Sequence, residues 1–250
     1  MMNTSTNAEL TLVLKICLQQ VAPGSVNDVN GTAFTTAAWN QQVWSEWTAR
    51  YKRESERFWS GKYWLKTPVD NVDLNFPLPP GTATHRCNVW CKLRLVLEGN
   101  AASAHHVIQV ANIVLRRGQA ANAGTFRSHD SLYDQYDLGY GVYTRSAGRG
   151  RTRDYYQRTF VHEVGHSLGL PHSAVTSGNA TCTAAGDNNA DPCYGTVHAE
   201  RRDVMGLGEH RSISDGSPWA NRINQHFRTG LVGPPRAFEI HQQRVFPVRL

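Results

Sequence analysis

Five residues in the segment FVHEVGHSLGLPH, Phe160 to His172, have types and spacing suited to chemistry. On a helix, His162 and His166 lie one turn apart and project from the same face, so two imidazoles can hold one Zn²⁺ from a rigid backbone. Glu163 follows the first His and is not placed to be a third equatorial ligand. Its carboxylate can instead reach a water at the metal. Gly169 can adopt a left-handed conformation, ending the helix and turning the chain back. That turn lets His172 approach as the third ligand. Three neutral imidazoles leave a fourth position open, the mark of a catalytic zinc site rather than a closed structural one. Glu200, Asp203 and Glu209 are alternative third ligands if His172 is turned away.

HEVGHSLGLPH resembles the zinc-binding consensus of the metzincin metallopeptidases. That family follows its third His with a turn carrying a Met, and Asp203-Val204-Met205-Gly206 supplies a matching segment. The resemblance gives Met205 the role of a hydrophobic floor under the His cluster, not of a ligand. It implies a zincin-type fold, one catalytic Zn²⁺ and a zinc metalloendopeptidase. Glu163 would be the general base that takes a proton from water and returns it to the leaving amine. Protein or peptide substrates would bind extended along an edge strand, here one of the weak strands between Phe126 and Thr144. The segment from Gly206 to Ser217 would wall the specificity pocket. Several metzincin groups place a Tyr two residues after the Met. This chain has Leu207 there, so help for the oxyanion must come from elsewhere, with Tyr194, His198 and His210 as candidates. The motif-level match covers only about Phe160 to Met205. The first 150 residues resemble, in general look only, metallopeptidase effector domains delivered by bacterial contractile secretion systems, which implies a secreted toxin.

The elements that must position these residues can be read from periodicity. Leu10 to Leu18 alternates as a strand, as do Val89 to Leu97 and Val107 to Leu115, with Gly99 to Ser103 joining the last two as a hairpin-like turn. In the last strand, Val107, Gln109, Ala111, Ile113 and Leu115 share one face. A helix capped by Thr35 or Thr36 should run to about Trp59, its Val43, Trp47, Tyr51 and Phe58 forming a core face. Thr67 to Thr84, with four prolines, reads as a loop. The active-site helix is expected from Thr152 to Leu168, anchored by Tyr156, Phe160, Val161, Val164 and Leu168. Ser173 to Arg202 reads as irregular. A last helix is punctuated by Ser217, Pro218 and Gly230. The order predicts an α/β (α+β) class: a mixed twisted sheet with a backing helix and the active-site helix, and a smaller, loop-rich C-terminal subdomain ending in a helix. The expected organisation is a single domain, 1–250, with subdomains 1–169 and 170–250.

Composition bounds the rest. With 250 residues, 40% apolar and 18% charged, the chain can bury a core and is not of the disordered class. No apolar run approaches the length of a membrane span. Met1 to Gln20 lacks the pattern of a cleavable signal peptide. With the resemblance to effector domains, the expectation is delivery outside the producing cell by another route, with a cytoplasmic location as the alternative. The net charge is +6, and the basic residues are scattered. The densest group, Arg145, Arg149, Arg151, Arg153 and Arg158, is expected in one loop and the helix start after it. A solvated surface is favoured there over nucleic-acid binding. Cys182 and Cys193 bracket a polar loop that a disulfide would close in an oxidising compartment. Asp187, Asn188, Asn189 and Asp191 offer oxygen ligands for Ca²⁺, but a solvated turn is favoured, since the spacing is not that of an EF-hand. A monomer is favoured. The functional alternatives are a catalytically silent, zinc-containing binding module and an Arg-rich nucleic-acid-binding protein.

Overall fold

The computed structural model describes residues 7–66, 88–129, 131–228 and 239–242. The expected loop from Thr67 to Thr84 and the stop at Gly230 lie outside these residues. In chain order the elements begin with β1 (Asn7–Gln20), β2 (Gly24–Asn27), β3 (Ala33–Thr36), α1 (Gln41–Trp59), β4 (Tyr63–Lys66) and β5 (Asn88–Leu97). They continue with β6 (His106–Ala111), β7 (Ile113–Val114), β8 (Leu132–Asp134), β9 (Tyr140–Gly148), β10 (Arg151–Arg158) and α2 (Thr159–Ser167). The last are α3 (Ser173–Thr176), α4 (Ala180–Ala185), α5 (His198–Arg202), α6 (Ser217–Arg228) and β11 (Glu239–Gln242). This is the mixed α+β class expected, built on a mixed, twisted sheet. No helix among the described residues is long and apolar enough to cross a membrane.

The chain divides into two compact units. One comprises Met1–Val13, Phe58–Arg94 and Ser212–Leu250, the other Leu14–Arg57 and Leu95–Arg211. In the first, β4 lies antiparallel between β11 and β5, pairing Leu65 with Ile240 and with Val89. Alternation puts Tyr63, Leu65, Val89 and Cys91 inside with Trp59 and Trp219. The Trp219 indole N–H donates to the Lys92 carbonyl at 2.8 Å. Gly216 has room for no side chain, because a Cβ there would meet Ile240 at 2.7 Å and the Tyr63 ring at 3.0 Å.

In the second unit β1 and β6 run parallel, Ile16 opposite His106, and β6 and β8 run parallel, Val110 opposite Tyr133. The segment after β5 does not close a hairpin, because β1 lies between β5 and β6. Both its ends bond to β1: Glu98 N–H donates to the Ile16 carbonyl and His105 N–H to that of Lys15, each at 2.8 Å. The buried face of β6 is Ile108 and Val110, while Val107 is exposed, the reverse of the expected alternation. The chain breaks at Asn112, so Ala111 and Ile113 are both buried.

Helix α1 starts later than its threonines suggested. Thr35 and Thr36 pair with Val114 and Ile113, and Asn40 caps the helix by accepting from Gln42 N–H at 2.9 Å. Trp47, Tyr51 and Phe58 are buried as expected; Val43, at the first turn, is 51% exposed. Tyr51 packs on Phe160 of α2 with ring centroids 5.9 Å apart, so α1 backs the helix that carries the motif.

That helix is shorter than its sequence period implied. Residues 151–158 form β10, antiparallel to β9, with Tyr155 opposite Tyr143 and Gln157 opposite Gly141. The intervening turn places Gly148, Arg149 and Gly150 at positive φ. The Arg cluster therefore lies along a hairpin, where Arg145 pairs with Asp191 and Arg158 with Glu209 and Glu54. Phe160, Val161 and Val164 anchor α2 as expected, but Tyr156 belongs to β10 and is 56% exposed. Ser173 to Arg202 is not irregular. It folds into α3, α4, a 3-10 turn at Asp191–Tyr194 and α5. Cys182 and Cys193 are joined by a disulfide and pack on Ala174.

Candidate metal centre

Strand β10 delivers the chain into α2, which carries His162, Glu163 and His166 within a single turn. Leu168 closes the helix, and Gly169 takes φ +88, where an L side chain would be strained. Gly169 N–H donates to the His166 carbonyl at 2.8 Å and Leu170 N–H to that of Gly165 at 3.0 Å. This pair of bonds is the Schellman closure, and it reverses the chain toward His172.

The three imidazoles converge. His166 Nε2 lies 3.1 Å from His162 Nε2 and 3.1 Å from His172 Nε2. Each Nδ1 is committed to a backbone carbonyl: His162 to Val204 at 2.7 Å, His166 to Leu170 at 2.8 Å and His172 to Asn188 at 2.7 Å. A carbonyl only accepts, so every Nδ1 carries a proton, and in each neutral ring Nε2 is left as the acceptor. Burial and the neighbouring imidazoles hold His162 well below the ordinary histidine range and bring His172 down to about 4. Three neutral acceptors facing one another repel unless a cation lies between them. Tetrahedral zinc, with Zn–N of about 2.0–2.1 Å, requires ligand nitrogens about 3.3 Å apart. Donor set, tautomers and spacing therefore fit Zn²⁺. Among the described residues this is the one cluster of three or more His, Cys, Asp or Glu able to hold a metal.

The rival acids are engaged elsewhere. Glu200 accepts from Ser177, Asn179 and Thr196. Glu209 is held by Arg158. Asp203 accepts from the Ser173 hydroxyl and from Met205 N–H, both at 2.9 Å. It thereby fixes the turn at residues 203–208, in which Met205 is buried. Ser173 N–H donates to the Met205 carbonyl, so the turn ties the His162 and His172 segments together.

A cleft of about 600 Å³ opens over the cluster. Glu163, 7% exposed, lines it beside His162, His166 and His172. Of the three oxyanion candidates only Tyr194 lies there. Its ring centroid is 3.9 Å from that of His172 and 5.8 Å from that of His162. Burial, reinforced by the Glu163 charge, pushes its phenol up to about 12. His198 bonds the Tyr155 hydroxyl instead, and His210 lies 3.5 Å from the Arg202 guanidinium. Tyr143 and Arg145 of β9 border the cleft, as does Arg127. In the loop considered for Ca²⁺, Asp187 accepts from Asn189 N–H and Asp191 pairs with Arg145. Sequence reasoning missed Gln157, whose amide sits behind His162, and the Asn188 carbonyl that orients His172. No local pattern marks either, because both act across long sequence separations.

A family model described as Peptidase M66 matches residues 110–200. The match takes in Glu163 and the three histidines and ends before Met205. With the three-histidine cluster it supports a metallopeptidase. No curated protein and no solved structure gives a significant match to the chain.

Proposed function

We propose that this chain is a zinc-dependent endopeptidase of the metzincin type. The observation that carries the reading is the convergence of three Nε2 atoms beside a buried glutamate, in a cleft whose three histidines and glutamate lie within the span matched by a peptidase family model. When bound, zinc would supply a polarised scissile carbonyl and a more acidic water. His162, His166 and His172 would hold it, and the turn at Met205 braces the two histidine segments. Glu163 accepts the proton of the attacking water and passes it to the leaving amine. Tyr194, a neutral phenol at neutral pH, donates to the oxyanion in place of the Tyr that Leu207 replaces. The substrate runs extended past Tyr143 and Arg145, the residues by which β9 borders the cleft. Action outside the producing cell, as a secreted toxin or effector, is part of the proposal. The Cys182–Cys193 disulfide supports it, since such bonds persist in oxidising surroundings.

The test is metal analysis of the purified chain together with cleavage of a mixed peptide library, before and after chelation and after zinc is restored. About one zinc per chain and cleavage that follows the metal are expected. Stoichiometric zinc with no cleavage of any peptide would overturn the enzymatic reading and leave a metal-binding module.

A further inference from the structure

Gln157 belongs to β10, two residues before α2 begins, and it is almost wholly buried. Its carboxamide nitrogen lies 2.9 Å from the Val204 carbonyl, 3.1 Å from that of Gly206 and 3.0 Å from that of Gly208. A carboxamide nitrogen only donates and a carbonyl oxygen only accepts, so the orientation of the group is fixed. The opposite orientation would set Oε1 against three oxygens. The three carbonyls are alternate residues of the turn that carries Met205. The backbone there admits no replacement packing, because a Cβ at Gly206 would collide with the Glu200 carbonyl and one at Gly208 with that of Arg202.

The Val204 oxygen has a second donor. His162 Nδ1–H reaches it at 2.7 Å, and the Gln157 nitrogen lies 3.3 Å from the same Nδ1. These two nitrogens are both donors. They are close because they share one acceptor, which has a lone pair for each. The chain of bonds runs from the Gln157 amide to the Val204 oxygen to His162 Nδ1–H, and it leaves Nε2 bare toward the other imidazoles. Groups that fix the far nitrogen of a ligating histidine set its tautomer and ring angle. Here that far partner is a backbone carbonyl whose own position is set by Gln157.

We propose that Gln157 is the positioning residue of the metal centre, clamping the turn at residues 204–208 so that the Val204 carbonyl holds His162 as its Nδ1–H tautomer. The proposal rests on the peptidase reading only for the identity of the metal. Gln157 acts on the centre through the Val204 carbonyl.

Two variants remove the donors at nearly constant size: Gln157→Glu, which turns acceptors on the three carbonyls, and Gln157→Met, which is neutral. A core substitution in the same unit, Ile108→Val, controls for general loss of stability. Zinc affinity measured by competition with a chelator should fall about 10–100-fold in both Gln157 variants and stay at the wild-type value in Ile108→Val. Nitrogen-15 spectra of the zinc-free chains should show His162 as the Nδ1–H tautomer in the wild type and as a tautomer mixture in the variants. In the wild type itself, exchange of the Gln157 side-chain amide protons should be slow, a readout that survives if neither variant folds. Folded variants with wild-type zinc affinity and an unchanged His162 tautomer overturn the proposal, as does amide exchange at the rate of an exposed Gln. A wild type that binds zinc and cleaves nothing would refute the peptidase reading and leave this one standing.

Discussion

Glu163 and Tyr194 share the cleft with the three imidazoles but are asked for different work, and substitution separates them. Glu163 lies outside the Nε2 cluster, so Glu163→Gln should leave zinc affinity within a few-fold of wild type. A general base contributes roughly 10²–10⁴-fold, so kcat/KM should fall by about that much. Near-normal turnover in that variant would remove Glu163 from the mechanism. On the proposed mechanism Tyr194 would offer a hydroxyl to charge that develops only in the transition state. Tyr194→Phe should therefore lower kcat about 10²-fold with little change in KM. An unchanged kcat would assign the oxyanion donor to another group. These positions were unevenly legible in the sequence. His162, Glu163, His166 and Gly169 declare themselves because helical spacing and a left-handed turn are local properties. Tyr194 could be named as a candidate but not ranked above His198 and His210. What separates it is the fold of residues 191–194, which no short-range pattern reports.

Among the elements, the loop closed by Cys182 and Cys193 has the most direct hold on the site. It carries Asn188, whose carbonyl orients His172, and Tyr194 follows the second cysteine immediately. Closing a loop of this length restricts the unfolded chain by about 3 kcal/mol, and opening it frees the Asn188 carbonyl to drift from His172. Replacing both cysteines by Ser should weaken zinc binding about 10-fold and shorten the life of the third ligand's bond. Equal affinity in the disulfide-free chain would show that α3 and α4 hold the loop without it. The elements also show where periodicity misleads. Residues 151–158 can be drawn as the first turns of a helix, yet Tyr155 and Gln157 point inward while Asp154 and Tyr156 point outward. Period 2 wins there because Tyr143 and Gly141 of β9 supply a pairing partner. Likewise Val107 and Gln109 alternate in the sequence as Ile108 and Val110 do, and only the packing on the other side of β6 decides which pair is inside.

For the molecule as a whole, two buried groups of opposite sign govern stability against pH. His162 and His172 titrate below the 6.5 of a free imidazole, His172 at about 4. The folded metal-free chain therefore binds fewer protons than the unfolded one in that window, and its stability falls as pH drops below about 6.5. Asp134 and Asp137 are both fully buried and three residues apart; burial raises both, and repulsion from Asp137 raises Asp134 further. Here the folded chain holds protons that the unfolded chain has released, so stability falls as pH rises above about 4. Zinc acts on the first pair only. The rise in melting temperature on adding it should be largest near neutral pH and shrink as protons compete for the imidazoles. Asp134→Asn isolates the second pair. The Asp134 oxygen that accepts Tyr136 N–H survives in Asn, and the other carboxylate oxygen makes no hydrogen bond to lose. Removing that ionisation should be nearly neutral at about pH 4 and increasingly stabilising toward about pH 8, by up to about 1.4 kcal/mol for each pH unit, because the cost it relieves grows with each step of pH above the unfolded value. Thermal melts of the metal-free wild type and variant across that range decide it. A gain that is constant or shrinks with rising pH would mean that Asp134 is not kept protonated by the fold.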